Sequence, residues 1–129
     1  MMSNNKLSLE IITPQGDVFK KNHVEEIVFH RKEKRYEPGS EIAILPLHGP
    51  SLIKIAIAPV RYRINEQTHY LALAGGFAEV KGEHVLVITP RFELIDPDQP
   101  NPHDRAQKIT HAWYEESKHG HLAMIGYSS

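Results

Sequence analysis

A chain of 129 residues, 40% of them apolar, has the material for one hydrophobic core, as a single domain or a domain with an appendage. Fifteen basic and sixteen acidic residues leave a formal charge of -1, which excludes a nucleic-acid binder that relies on bulk charge. Cysteine is absent, so disulfides and thiolate metal sites are excluded and a reducing compartment is permitted.

The first six residues are polar and lack the apolar run of a signal peptide. No apolar run approaches the length of a spanning helix, so membrane contact is expected only through other proteins. Leu7, Leu9 and Ile11 alternate with Ser8 and Glu10, a strand pattern. Thr13-Pro14-Gln15-Gly16 reads as a turn, and Asp17 to Lys20 pair back as a hairpin. Val24, Ile27, Val28 and Phe29 predict a third strand, interrupted by a bulge at Glu25 and Glu26. The charged run from His30 to Arg35 reads as a solvated loop or an edge strand.

Glu41 to Pro50 is the stretch around which the rest is arranged. Ile42 and Ile44 alternate with Glu41 and Ala43 as a short strand. Pro46 and Pro50 then end any ladder, because neither has an N–H to donate. Leu47, His48 and Gly49 lie between them at a stiff corner, suited to being held against a partner rather than to catalysis.

Leu52 to Ala58 are mostly apolar, and Pro59 breaks the run. Val60, Tyr62 and Ile64 alternate with Arg61 and Arg63, a half-buried strand that leads into a loop at Asn65-Glu66-Gln67. Tyr70 to Ala74 reads as a buried strand. Gly75 and Gly76 mark a sharp bend that only glycine tolerates. Phe77 to Val80, then Val85 to Ile88, then Phe92 to Ile95 supply further strands. About ten short strands at this rhythm predict a mainly β fold, an antiparallel β-sandwich.

Residues 1–95 form the predicted sandwich domain, and 96–102, rich in proline, the linker. Residues 103–129 hold one C-terminal helix and a tail. Asn101 caps the helix, Pro102 opens it, and Gly120 is the expected stop. Ala106, Ile109 and Trp113 share one face, which predicts docking of Ile109 and Trp113 onto the sandwich. Leu122, Met124, Ile125 and Tyr127 give the tail apolar groups that could pack back.

Among nine histidines, only His111 with Glu115 and His119, and His119 with His121, have ligand spacing, and a zinc site needs three or four convergent groups. No Gly-x-Ser-x-Gly elbow occurs, and Ser40 and Ser51 adjoin turn residues near His48. The paired carboxylates Glu25-Glu26, Asp96-x-Asp98 and Glu115-Glu116 read as solvated pairs. Gly75-Gly76 joins two strands and so is no phosphate cradle. The expectation is therefore a non-enzyme with no catalytic, cofactor-binding or metal residue.

Several stretches resemble the epsilon subunit of F-type ATP synthases (delta in mitochondria). They are Leu7-Ser-Leu-Glu-Ile-Ile-Thr-Pro-Gln-Gly, Val60-Arg-Tyr-Arg-Ile, Tyr70-Leu-Ala-Leu-Ala-Gly-Gly-Phe-Ala-Glu-Val and Val85-Leu-Val-Ile-Thr. The centre, Glu41-Ile-Ala-Ile-Leu-Pro-Leu-His-Gly-Pro, is similar to the family's Glu-Phe-Gly-Ile-Leu-Pro-Gly-His-Ala-Pro. The resemblance implies a ten-stranded sandwich in the rotor, at the cytoplasmic face of the inner membrane, coupling ion-driven rotation to ATP synthesis. It implies the gamma subunit and the c-ring as partners, and the alpha and beta subunits through the C-terminal region. It places Glu41, Leu47 and His48 at the ring; Pro46, Pro50, Gly75 and Gly76 are read, from the residues themselves, as structural turns.

The chain departs from the family pattern at Ala43 and Leu47, which replace glycines, and in a more basic loop around Arg31 to Glu37. One helix stands where the family has a helical hairpin, so inhibition of hydrolysis is expected to be reduced or absent. Ile95-Asp96 is followed by Pro97-Asp98-Gln99-Pro100, so the family's ATP motif is not matched. The alternative is a stand-alone β-sandwich binding a sugar or peptide, which predicts a concave pocket. A metal-dependent hydrolase would require bound zinc.

Overall fold

The structure, a computed structural model, describes residues 5–34 and 37–128, with side chains described through His119. Among the described residues eight strands precede one helix: β1 (Leu7–Ile12), β2 (Val18–Val24), β3 (Glu26–Lys32), β4 (Pro38–Ile44), β5 (Ser51–Ile64), β6 (Gln67–Lys81), β7 (His84–Ile88), β8 (Phe92–Leu94) and α1 (Pro102–Ser128). They form one hydrogen-bonded sheet in the order β2-β1-β7-β6-β5-β3-β4, with β8 added on β6.

The sheet folds over itself because β5 and β6 are long and bent. They run 14 and 15 residues and are joined by a tight hairpin at Asn65 and Glu66, both with positive φ. The bend falls where Ile55 pairs with Gly76 and Ile57 with Ala74. Gly75 and Gly76 have φ of 80° and 110°, and a Cβ on Gly76 would collide with the carbonyl oxygen of Ile88. Opposite the bend, Ile55 and Ala56 are both fully buried although they are neighbours in a strand, so the alternation changes phase there.

One half of β5–β6 therefore belongs to a layer with β7, β1 and β2. The other belongs to a layer with β3, β4 and β8. Counting the halves separately restores about ten segments, the number the sequence rhythm predicts. Phe19 of β2 lies 6.2 Å from the ring of Tyr62 in β5 and 6.3 Å from Phe92 in β8, contacts that only face-to-face layers allow. Between the layers sit Leu7, Leu9, Ile11, Val85 and Val87 against Phe29, Ile44, Val60 and Leu73.

Four local expectations change. The run from His30 starts as strand, one of its two expected forms, but not at an edge: β3 continues to Lys32 between two neighbours, with His30 paired to Glu41 of β4 and Arg31 to Ile55 of β5. Val24 ends β2 instead of opening the third strand, and the irregularity falls just before it: His23, at φ 64°, sits where the β1–β2 register shifts between the Leu7–Val24 and Leu9–Lys21 pairs. β1 and β7 pair in parallel, an exception in an otherwise antiparallel sheet, because strands far apart in sequence close that layer. Gly120 does not stop the helix, which runs on to Ser128. A single interior glycine costs about 1 kcal/mol relative to alanine, which its neighbours can offset. The tail residues from His121 onward lie outside the described side chains.

α1 begins as its sequence dictates: the Asn101 carbonyl accepts the first helical bond from Arg105 N–H at 3.1 Å, and Pro102 takes the first helical position. It packs on the outer face of the second layer, where Trp113 meets Ile57 and Ala72, flanked by Ile109, Tyr114 and Ala74.

Candidate functional site

The turn after β4 is built by its prolines. Leu45-Pro46-Leu47-His48 closes through His48 N–H donating to the Leu45 carbonyl at 2.8 Å, with Pro46 supplying the second-position φ. His48 Nδ1 donates to the Gly49 carbonyl at 2.9 Å, and Ser51 Oγ donates to the same oxygen at 3.2 Å. This bonding leaves Leu47 82% exposed and Leu45 half exposed. The turn thus holds an apolar tip in water.

The strand register places three other connections at that end of the sandwich: β2–β3 at Glu25, the β5–β6 hairpin, and the Lys81 to His84 turn. Glu25 ties the end together. It accepts from Arg63 Nε at 3.1 Å and Glu66 N–H at 3.2 Å, with Lys6 Nζ at 3.5 Å. The backbone bond from Glu66, then Arg63 and Lys6, hold its carboxyl below the usual 4.5.

Glu41 does not share the tip. It lies three residues before Ile44, roughly 10 Å along the strand. There it is engaged by Arg61, whose Nη1 and Nη2 donate at 2.7 and 3.3 Å, and faces His30 Nε2 at 3.7 Å. The Arg61 hydrogen bonds hold its carboxyl low. Glu41 braces β4 against β5, while Leu47 and His48 occupy the end.

A second surface crosses the first layer. The register aligns Phe77 of β6 with Ile88 of β7, Ile88 with Ile12 of β1, and Ile12 with Val18 of β2. Val18, Ile88 and Phe77 are 59%, 48% and 46% exposed. Leu52, 71% exposed, stands one row nearer the tip, opposite Glu79. Sequence reasoning missed this apolar row, although the signal was present. Ile11-Ile12 and Val87-Ile88 are adjacent apolar pairs in half-buried strands, so one of each must face outward.

Where this face meets α1 there is a cleft of about 640 Å³. Ile57, Ala74, Gly76, Phe77 and Ile88 line it from the sandwich, and Trp113, Glu116 and Ser117 from the helix. Arg91 stacks 4.2 Å over the Trp113 ring and reaches Glu116 at 3.4 Å, fastening the helix.

The other candidate groups stay dispersed. His111 and Glu115 approach to 3.9 Å, and among the described residues no three His, Asp or Glu side chains converge as a metal site; His121 lies outside them. Asp96 accepts from Asp98 N–H as part of its own turn. Among the described residues no helix is long and apolar enough to cross a membrane.

The β-sandwich domain of the ATP synthase delta/epsilon chain matches residues 6–95. An ATP synthase epsilon chain of Carboxydothermus hydrogenoformans is 38% identical over 100 residues, covering 74% of this chain and 68% of that one. One from Syntrophobacter fumaroxidans is 34% identical over 90 residues, covering 68% and 60%. The aligned part thus spans between 60% and 68% of these relatives. A chain in the cryo-EM structure of Euglena gracilis mitochondrial ATP synthase (OSCP/F1/c-ring) shares the fold, with a TM-score of 0.59, 15% identity, and coverage of 92% of this chain and 82% of that one. A chain of the Tetrahymena thermophila central stalk and c-ring shares it at 0.55 and 12%, covering 90% and 98%. With its sandwich, its proline-bounded turn and this match over most of its length, the chain belongs to the ATP synthase delta/epsilon family, as a non-catalytic accessory subunit.

Proposed function

We propose that this subunit is part of the rotor, binding gamma through the outer face of the first layer and resting on the c-ring through the Leu45–Pro50 end. It transmits ion-driven rotation toward the catalytic subunits and lies peripherally at the cytoplasmic face of the membrane. The carrying observation is the apolar row from Val18 to Phe77, a contiguous exposed surface of the kind that marks a protein interface. The tip is the second surface. There Leu47 and His48 are the proposed ring contacts, and Glu41 is a strut behind them.

Torque transmission requires stiffness. The prolines and the Glu25 hub supply it at the end that bears the load, and the Glu41–Arg61 pair supplies it behind that end. The seating of Trp113 under Arg91 supports a reduced inhibitory role, since an extended helix would first have to leave that contact. Contact of the helix with the alpha and beta subunits is part of the same reading.

The test is co-purification. The tagged chain at native expression level recovers gamma, c-ring and catalytic subunits, and Leu47→Glu keeps gamma while losing the ring. Recovery of none of them by the unaltered chain would sink the reading.

A further inference from the structure

We propose that the cleft between α1 and the sandwich receives one apolar side chain of gamma, leucine-sized or aromatic, presented beside a carboxylate, and that filling it holds α1 in place. This rests on the reading of the chain as a gamma-binding rotor subunit. Phe77 and Ile88 belong both to the apolar row and to the cleft wall, so the two are one continuous surface. A free small molecule in the cleft would leave the row in water. The occupant therefore comes from the macromolecule that covers the row.

Size and charge define what enters. About 640 Å³ exceeds what one side chain fills, so a neighbouring residue enters with it. The lining carries Lys32, Lys54 and Arg91 against the single carboxylate of Glu116. Arg91 is already turned toward Glu116 and Trp113. Among the described residues no carboxylate lies in ion-pair reach of Lys54. A partner carboxylate beside the inserted group meets Lys54 at the mouth of an apolar site, where water is partly excluded and charge pairing counts for more than on an open surface.

Regulation follows from which bodies form the walls. Trp113, Glu116 and Ser117 belong to the helix, and the rest to the sandwich. A group touching both binds the seated helix more tightly than a displaced one. By linkage, the bound partner then shifts the helix toward its seat. The junction with gamma would thus also set how readily the C-terminal helix leaves.

The experiment uses the complex of gamma with the catalytic subunits, stripped of this chain, as the probe. Kd is measured for the full chain, Lys54→Glu, Lys54→Gln and Ser117→Trp, with Lys108→Glu, on the exposed side of α1, as control. Circular dichroism establishes that each variant is folded. Charge reversal and the tryptophan plug are each expected to weaken binding by about tenfold or more, Lys54→Gln by less, and the control not at all. Hydrogen exchange across residues 103–118 is expected to slow by about tenfold when the complex is bound. If Lys54→Glu and Ser117→Trp bind as the unaltered chain does, or if helix exchange is unchanged in the complex, the inference is overturned while the rotor reading stands. Failure of the unaltered chain itself to bind overturns both.

Discussion

Trp113→Ala isolates what holds the helix on the sandwich. The indole is 7% exposed and is sandwiched between Ile57 and Ala72 on one side and the Arg91 guanidinium on the other. A buried aromatic of this size removes roughly 150–250 Å² from water. At about 25 cal/mol per Å² that is roughly 4–6 kcal/mol, an upper bound because the unfolded reference is too extended. Measured tryptophan truncations cost about 3–5 kcal/mol. The other contacts of the helix are smaller, partly buried or exposed: Ala106, Ile109 and Tyr114, the His103 ring 5.3 Å from Tyr70, and the Arg105–Glu93 ion pair at 4.0 Å; and a lone helix is marginal in water. A loss of about 3 kcal/mol raises the undocked population by roughly a hundredfold. That opening is local, because β1, β6 and β7 keep their own core. In native-state hydrogen exchange, protection across residues 106–117 should fall by about that factor while protection in β1 and β7 stays unchanged. An equal fall throughout the sandwich would mean that the helix is no separate unit. No fall at all would mean that the tryptophan does not seat it.

Two further outcomes test the frame beneath the surfaces. Gly76→Ala forces a Cβ against the Ile88 carbonyl and fixes an unfavourable φ of 110°. A strained residue costs about 1–3 kcal/mol before the clash is counted, so the melting temperature should drop by roughly 10 °C or more; a change within scan error would refute the role of the bend. Glu25 and Glu41 both have folded pKa values below the ordinary 4.5, so their stabilisation is full above that value and is lost as pH falls through the lower folded values. Glu25→Gln should therefore flatten the loss of thermal stability between about pH 5 and pH 3, and an unchanged pH slope would count against the hub.

What the sequence made legible was local. Alternation at Leu7-Leu9-Ile11 and Val60-Tyr62-Ile64 gave strands with the correct inward residues, because a period of two needs no tertiary knowledge. The paired glycines marked the bend because their φ values have a steric cause within a few residues. The Ala106–Ile109–Trp113 stripe placed the helix for the same reason. What escaped was set by partners distant in sequence. Nothing around Glu41 in the sequence announces its two hydrogen bonds from Arg61, twenty positions later. The apolar row escaped because Ile12 and Ile88 become neighbours only through the parallel pairing of β1 with β7.

That division bears on Leu47. Its exposure follows from three local facts: Pro46 at the turn's second position, the His48 N–H on the Leu45 carbonyl, and His48 and Ser51 both on the Gly49 carbonyl. A side chain held in water by its own turn is not waiting for the sandwich to bury it. Removing it should cost the fold almost nothing, since no core contact is lost. Its cost must then appear where the turn meets something else. An effect of Leu47→Glu on ring retention, without a matching change in melting temperature, is the signature that separates an interface residue from a packing one.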